Sequence, residues 1–448
     1  MEEILGRISD IMWGLPMIIV LIGTHLYLTF RTKFMQRHIF KGVRLSFKGS
    51  SSAGGDVSPF GSLTIALAAT LGTGNIVGVA TAVVIGGPGA VFWMWITGVL
   101  GLATKYSEGV LAVKYRVHNA DGSYSGGPMY TLDRGLKVKW LAVLFAIFTV
   151  LASFGIGNTV QSNSIATLLS ASYSLPTWVT GLILTFLTAL VIIGGIRSIA
   201  RVCVFFVPIF AGLYILGGLY ILAVGYETLP HTISLIFSSA FTGHAAVGGF
   251  VGAALMQTMR IGIARGLFSN ESGMGSAPIV AAVAKTPNPV QQGLVSASGT
   301  FWDTVVVCAL TGLIVVNSGE WTSGYDGAVL TRVAFEQIPV IGPFIVEFGL
   351  LSFVFSTIIG WYCYGEKSIS YLLGPKVVMA YKIVWVALVY VGATVSLKAV
   401  WSFADIANGL MVLPNVVALW GLTKIISKET DKYLGEKGNL NNIDEDIQ

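Results

Sequence analysis

Residues 69–78 read ATLGTGNIVG: three glycines, two threonines and an asparagine inside an apolar stretch that runs from about residue 59 to residue 84. A lipid-spanning helix would carry leucine or valine there. Polar side chains and helix-breaking glycines are tolerated at membrane depth where the backbone is buried in protein or lines a cavity, so the run predicts an interrupted helix. Carbonyls freed at such a break suit a cation, and freed N–H groups at a positive dipole end suit a carboxylate. Two blander readings compete. Gly72, Gly74 and Gly78 give G-x-G-x-x-x-G, one position away from the dinucleotide fingerprint and not following a strand. Gly74 and Gly78 also form a G-x-x-x-G pair of the kind that lets membrane helices approach. Packing accounts for the glycines but leaves Thr70, Thr73 and Asn75 unexplained.

The rest of the chain sets that run in a membrane. Of 448 residues, 54% are hydrophobic and only 11% charged, with a mean hydropathy of +0.76; soluble domains carry about 25% charged residues. Taking roughly 20 apolar residues per span, about eleven helices are expected, at 11–30, 59–84, 90–113, 140–169, 176–194, 202–224, 245–263, 290–316, 341–364, 377–395 and 399–426. Lys and Arg collect on the cytoplasmic side of short loops. With the N-terminus outside and the C-terminus cytoplasmic, Arg7, Arg332 and Lys398 are the basic residues left outside, Lys105 lies near the inner end of a span, and the others of the 27 fall in cytoplasmic segments. The net charge of +5 is then a positive-inside signature and requires no nucleic-acid partner. Cys203, Cys308 and Cys363 lie singly in apolar segments, and the five histidines show no metal-ligand spacing. The acidic N-terminus and the absence of a small-residue cleavage pattern mark residues 11–30 as a retained span. Residues 229–243 read as a short helix or an irregular loop, and the polar tail 428–448 is expected to fray.

The span count carries a symmetry. Helices two to six and seven to eleven form two groups of five, and an odd repeat length inverts one group relative to the other. In inverted repeats, Gly-interrupted segments at corresponding positions point to the site, and the seventh helix carries AAVGGFVGAAL at 245–255, with Gly248, Gly249 and Gly252. The expected organisation is 1–58, an extra helix and basic loop; 59–225, the first repeat; 226–426, the second repeat with an outer connection; and 427–448, a cytoplasmic tail.

Two long motifs, ATLGTGNIVGVATAVVIGGPGAVFWMW from Ala69 and ARGLFSNESGMGSAPI from Ala264, resemble signatures of the alanine or glycine:cation symporter family, also called sodium:alanine symporters, over nearly the whole chain. More distantly, Gly72-Thr73-Gly74-Asn75 followed by Gly86 to Phe92 is similar to the first-helix pattern of the neurotransmitter:sodium symporters. The resemblance implies an all-α integral membrane protein with a five-plus-five inverted repeat, the first helix of each repeat discontinuous, and one extra N-terminal helix. It also implies one Na+ held by the Thr70 carbonyl and the Asn75 side-chain oxygen, and a second held by carbonyls near Ala68 and Leu71 with the hydroxyls of Ser356 and Thr357. All are the hard oxygen donors an alkali cation requires. Where relatives complete the first site with an asparagine of the eighth helix, this chain has Asp303. A carboxylate near the centre of a span is costly and by default functional; an ion pair or a proton relay are its other readings. Ser356 and Thr357 also have a second reading, in bonds back to their own helix.

Substrate contacts are expected from the Gly72, Thr73 and Gly74 backbone and from Gln161, whose amide offers a donor and an acceptor to a zwitterion. Asn158, one turn from Gln161, is as well explained by bonding to a neighbouring helix. Phe250, Thr357 and Trp361 are assigned to the cavity wall, with ordinary aromatic packing as the competing reading for Phe250 and Trp361, and Glu108, beside Lys105, to an inner gate or a structural contact. The function expected is sodium-coupled symport of small neutral amino acids, alanine and glycine, across the cell membrane by alternating access. A proton-coupled carrier of another small zwitterion is the alternative. A channel would need a continuous polar lining, and an enzyme a nucleophile with its base or a metal set.

Overall fold

The computed structural model describes residues 2–48, 54–242, 251–325, 327–339, 341–395, 397–435, 438–440 and 442–444. Among them, strand is confined to a two-residue hairpin, Val117–His118 with Tyr124–Ser125, and one isolated bridge, Val57 with Ala284. Six helices are long and apolar enough to cross a bilayer, or up to eight when two bent pairs each count as one span. One pair joins Leu15–Arg31 to Met35–Ser46 at 68°, and the other joins Pro59–Thr70 to Gly74–Gly86 at 52°.

The second pair is the interrupted helix that residues 69–78 predict. Its first half starts with Pro at the opening position and Ser58 as cap, whose hydroxyl accepts the Gly61 N–H at 3.0 Å. It stops at Leu71, where ψ of 97° is extended. The chain resumes through a wide π turn, Gly74–Gly78, into Val79–Gly86. Two more π segments, Gly155–Thr159 and Phe301–Cys308, fall at Asn158 and Asp303. Such turns push extra backbone out of register and recur at functional sites.

Among the described residues, the interruption in the second group falls at 271–276. Gly248, Gly249 and Phe250 lie outside the described residues, and Gly252 sits within an unbroken helix, Val251–Asn270, which runs past the expected end at residue 263. That helix stops at Glu271, where φ is +55°, and the chain turns through Gly273 at +92° and Gly275 at +82° before Pro278–Ala281. These are left-handed conformations that glycine adopts freely and other residues rarely. Arg260 and Arg265 cut the apolar run short in a hydropathy reading, yet they belong to the helix and not to a basic loop. The same helix meets Gly86 through a Thr258 hydroxyl bond of 2.7 Å. Gly262 and Gly266 let it touch Gly89–Lys114: an added Cβ would stand 2.4 Å from the Ala90 carbonyl oxygen and 2.3 Å from Thr97 Oγ1.

Residues 229–242 are helical. Among the described residues the tail does not show the expected fraying: Thr423–Leu434 is a helix, and Leu440, Asn442 and Asp444 bond to the 287–288 turn. Asn288 accepts the Gln291 N–H as a helix cap and donates its amide to the carbonyls of Leu440 (2.8 Å) and Asn442 (3.0 Å). Asp444 accepts ion-pair contacts from Lys114 (3.6 Å) and Lys432 (3.4 Å), and Glu429 holds Lys114 at 3.2 Å. The docking adds these polar ties to the burial of Tyr433 and Leu440 against the core, and its predominantly polar sequence is why it reads as solvated. Because Asp444 is 3% exposed whereas its lysines remain partly wet, Asp444→Ala is expected to cost roughly 1–2 kcal/mol. It should lower the melting temperature of the purified protein by a few degrees, less so in high salt.

Candidate functional site

The two interruptions face each other. A Cβ on Gly74 would stand 3.1 Å from Ser269 Cα and 3.4 Å from the Phe268 ring, so Gly74 does pack a helix junction. Its partner in the G-x-x-x-G pair does not: Gly78 has only the Thr73 carbonyl within 4 Å.

On one side of the first break, oxygens crowd together. The Thr357 hydroxyl lies 2.9 Å from the Ala68 carbonyl, 3.0 Å from that of Leu71 and 2.8 Å from that of Phe353, its own helix neighbour. Ser356 Oγ is 2.9 Å from the Phe353 carbonyl and 3.5 Å from that of Ala68. Two hydroxyl protons therefore serve three carbonyls. The Ala68 carbonyl has also lost its regular helical donor, since the Gly72 N–H turns to Asn75 Oδ1 at 3.0 Å. Back-bonding and convergence on the break thus hold together at Ser356 and Thr357.

Beside it lies a second polar knot. Asn75 Nδ2 donates to Asp303 Oδ1 at 2.7 Å, while Asp303 Oδ2 accepts from Ser269 (3.0 Å) and Thr304 (2.6 Å). Asp303 is thereby tied to both broken helices without a cationic side chain on it. Thr70 bonds its hydroxyl back to Ala66 at 3.1 Å. The Asn75 oxygen assigned to a cation here accepts the Gly72 N–H at the break.

The N–H side of the break meets Gln161. Its Oε1 accepts from the Thr73 N–H at 3.4 Å and its Nε2 donates to the Ile156 carbonyl at 2.8 Å. Asn158 instead spends its amide on the Trp385 carbonyl at 2.9 Å, the neighbouring-helix reading. Trp361 is fully buried, seated against Gly157, and donates its indole N–H to Glu271 Oε1 at 2.9 Å. Phe250 lies outside the described residues.

The residues that composition and spacing missed are those of the second break. Glu271 accepts from Trp361 and from the Ser276 hydroxyl. Glu108 makes a structural contact, one of its two expected readings: its Oε1 takes the N–H groups of Gly273 (3.0 Å) and Gly275 (3.1 Å) and the Asn415 amide (2.6 Å). The signal was present in SNESGMGS, 269–276, which concentrates polar residues and glycines as 69–78 does.

Comparison with known proteins decides what this arrangement belongs to. The model of the sodium:alanine symporter family matches residues 1–446. This chain belongs to the sodium:alanine symporter family. A sodium/alanine symporter of Methanococcus maripaludis, AgcS, is 45% identical over 96% of this chain and 97% of its own. An uncharacterized transporter of Haemophilus influenzae is 48% identical over 99% and 98%, and a probable sodium/glutamine symporter of Bacillus subtilis, GlnT, 38% identical over 98% and 91%. In fold the symporter is similar to a manganese transporter of Eremococcus coleocola, with a TM-score of 0.50 at 14% identity over 89% of this chain and 86% of that one. It is a multi-pass membrane transporter of the amino-acid:cation symporter kind, not an enzyme.

The two glycines of the first break separate packing from function in this symporter. A methyl group at Gly72 would lie 2.7 Å from Thr357 Oγ1 and 3.2 Å from Gln161 Oε1, whereas at Gly78 it meets only ordinary contact. Gly72→Ala is expected to abolish sodium-dependent uptake and Gly78→Ala to leave it within about twofold of wild type, read by uptake into proteoliposomes with expression as control.

Proposed function

We propose that the protein is a sodium-coupled symporter of small neutral amino acids, alanine and glycine, working by alternating access across the cell membrane. The observation that carries the reading is the oxygen cluster at Leu71, in which the Ala68 and Leu71 carbonyls of the break face the Ser356 and Thr357 hydroxyls, whose protons the Phe353 carbonyl also attracts. Such a surplus of oxygen dipoles is what a cation neutralises, and hard neutral oxygens suit an alkali cation. In this reading Ala68, Leu71, Ser356 and Thr357 hold one sodium. Thr70, Asn75 and Asp303 hold the other once Asn75 gives up the Gly72 N–H. That N–H and those of Thr73 and Gly74 then receive the substrate carboxylate, with Gln161 beside it and Trp361 and Phe250 walling the side-chain space.

The fold reading that goes with it has about eleven spans, five-plus-five inverted, preceded by one extra helix, with the N-terminus outside and the basic end, where the tail docks, in the cytoplasm. Alanine is favoured as substrate because AgcS is named for it at 45% identity. GlnT, named for glutamine, stands at 38%. Gln161 and the pinned Trp361 also crowd the break, and a rigid wall rejects a longer side chain by clash. A proton-coupled carrier, with Asp303 titrating, is the second reading, favoured by the full burial of that carboxylate beside the first break.

Uptake of labelled alanine into proteoliposomes under an imposed sodium gradient tests the proposal, and uptake driven by a proton gradient alone would overturn its sodium part. Thr357→Val keeps the shape and removes a ligand. It is expected to raise the sodium concentration for half-maximal uptake about tenfold, the equivalent of ~1.4 kcal/mol. Asp303→Asn keeps an oxygen and removes the charge; a large loss of sodium-driven uptake is expected, and an unchanged sodium response would take the carboxylate out of coupling.

A further inference from the structure

Between the first break and the basic end lies a small cavity whose Lys105 and Gln292 none of these roles uses. Its walls include Ser62, Ala66 and Thr70 of the first half-helix, Ala277 just past the second break, Lys105, and Gln292 of Pro289–Thr300. Its volume is about 10 Å³, the room of about one water. Lys105 is 3% exposed and Gln292 1%. Among the described residues, Lys105 Nζ and Gln292 Oε1 have no hydrogen-bond partner. Three polar groups of the wall are committed: Gln292 Nε2 donates to Ser62 Oγ (3.3 Å), Ser62 donates to the Val280 carbonyl (2.9 Å), and Thr70 to Ala66. Glu108, one turn from Lys105, spends its Oε1 on Gly273, Gly275 and Asn415, while its Oε2 has no hydrogen-bond partner among the described residues.

A buried ammonium with no partner is expensive, and so is a buried amide oxygen. Their unmet demands are opposite in sign: the first calls for an anionic or accepting group and the second for a donor. An α-amino acid zwitterion supplies both, a carboxylate for Lys105 and an ammonium for Gln292. The cavity walls also come from both broken half-helices, the segments that must part for a solute to leave the breaks toward the basic end.

We infer that Lys105 and Gln292 form an exit subsite, which receives the zwitterionic head of the amino acid after it leaves the central site and before it reaches the basic face. The inference rests on the amino-acid symport proposed above. In the closed state the subsite is too small for the substrate; parting of the half-helices enlarges it. The unmet groups then draw the substrate off the break, and the step they assist is release, not first binding.

The test separates binding from turnover. Wild type, Lys105→Met, Lys105→Arg and Gln292→Leu are compared by equilibrium binding of labelled alanine in sodium to the purified protein, and by maximal sodium-driven uptake into proteoliposomes. Lys105→Met is expected to bind alanine within about twofold of wild type while its maximal uptake falls at least about tenfold, since an interaction made only on the way out changes turnover and not affinity. Lys105→Arg, which keeps the cation, should recover most of the uptake, and Gln292→Leu should share the defect more mildly. Wild-type uptake by Lys105→Met, or a parallel loss of binding and uptake, overturns the exit subsite. Should Lys105→Met prove unstable, Gln292→Leu and Lys105→Arg decide the matter, and unaltered turnover in the first or a turnover defect in the second rejects the subsite. If wild type itself neither binds nor accumulates alanine under a sodium gradient, the fault lies with the proposed function.

Discussion

Backbone polar groups freed inside a membrane must find partners in protein, and the two places where this chain abandons helical bonding organise the surroundings. At the first break the Gly72 N–H goes to Asn75 and the Ala68 and Leu71 carbonyls face Thr357. At the second, the Gly273 and Gly275 N–H groups go to Glu108 and the Gly273 carbonyl to Asn415. An unsatisfied group in a lipid interior costs several kcal/mol, so none of these side chains is free to vary independently of the break it serves. Glu108 shows the logic: a carboxylate that looks stray on its own helix is the acceptor for a loop far along the chain.

The partners of the two breaks are shared, and the sharing ties the halves into one unit. Asp303 accepts from Asn75 at the first break and from Ser269 at the end of the helix leading into the second. Ile341–Leu373 holds the first break through Thr357 and the second through Trp361. A displacement of either half-helix therefore strains the same few side chains. Packing reinforces this, because Gly72, Gly74, Gly262 and Gly266 leave no room for a methyl group between backbones.

Residues 69–78 made the first break legible because helix-breaking and polar residues coincide within ten positions of an otherwise apolar span. The break at 271–276 went unread for a physical reason. Hydropathy ends a span at charge, and Arg265 closed the window before Asn270. Of the glycines at 248–252, Gly248 and Gly249 lie outside the described residues, and Gly252 lies in a continuous helix. Ser356 and Thr357 were singled out by the family resemblance, which their adjacency supports, and Gln161 by its polarity one turn from Asn158. No local pattern reports that Glu108 reaches Gly275 or that Asn288 holds the tail, because those bonds join residues more than 150 positions apart. Local chemistry was readable; long-range satisfaction was not.

Coupling, in the proposed reading, follows from where the surplus oxygens sit. A bound species shifts a conformational equilibrium only by its difference in affinity between the two states. Were all the ligands on one rigid helix, that difference would vanish. Here the Ala68 and Leu71 carbonyls belong to the end of a half-helix, whereas the Ser356 and Thr357 hydroxyls belong to a long helix packed against it. A cation between them is held well only while the two stay together, and its departure leaves the Ala68 and Leu71 carbonyls to hydroxyl protons that the Phe353 carbonyl also attracts. The same residues that satisfy the break weakly without the ion hold it firmly with the ion, and that difference is the free energy by which sodium can set the position of the half-helix.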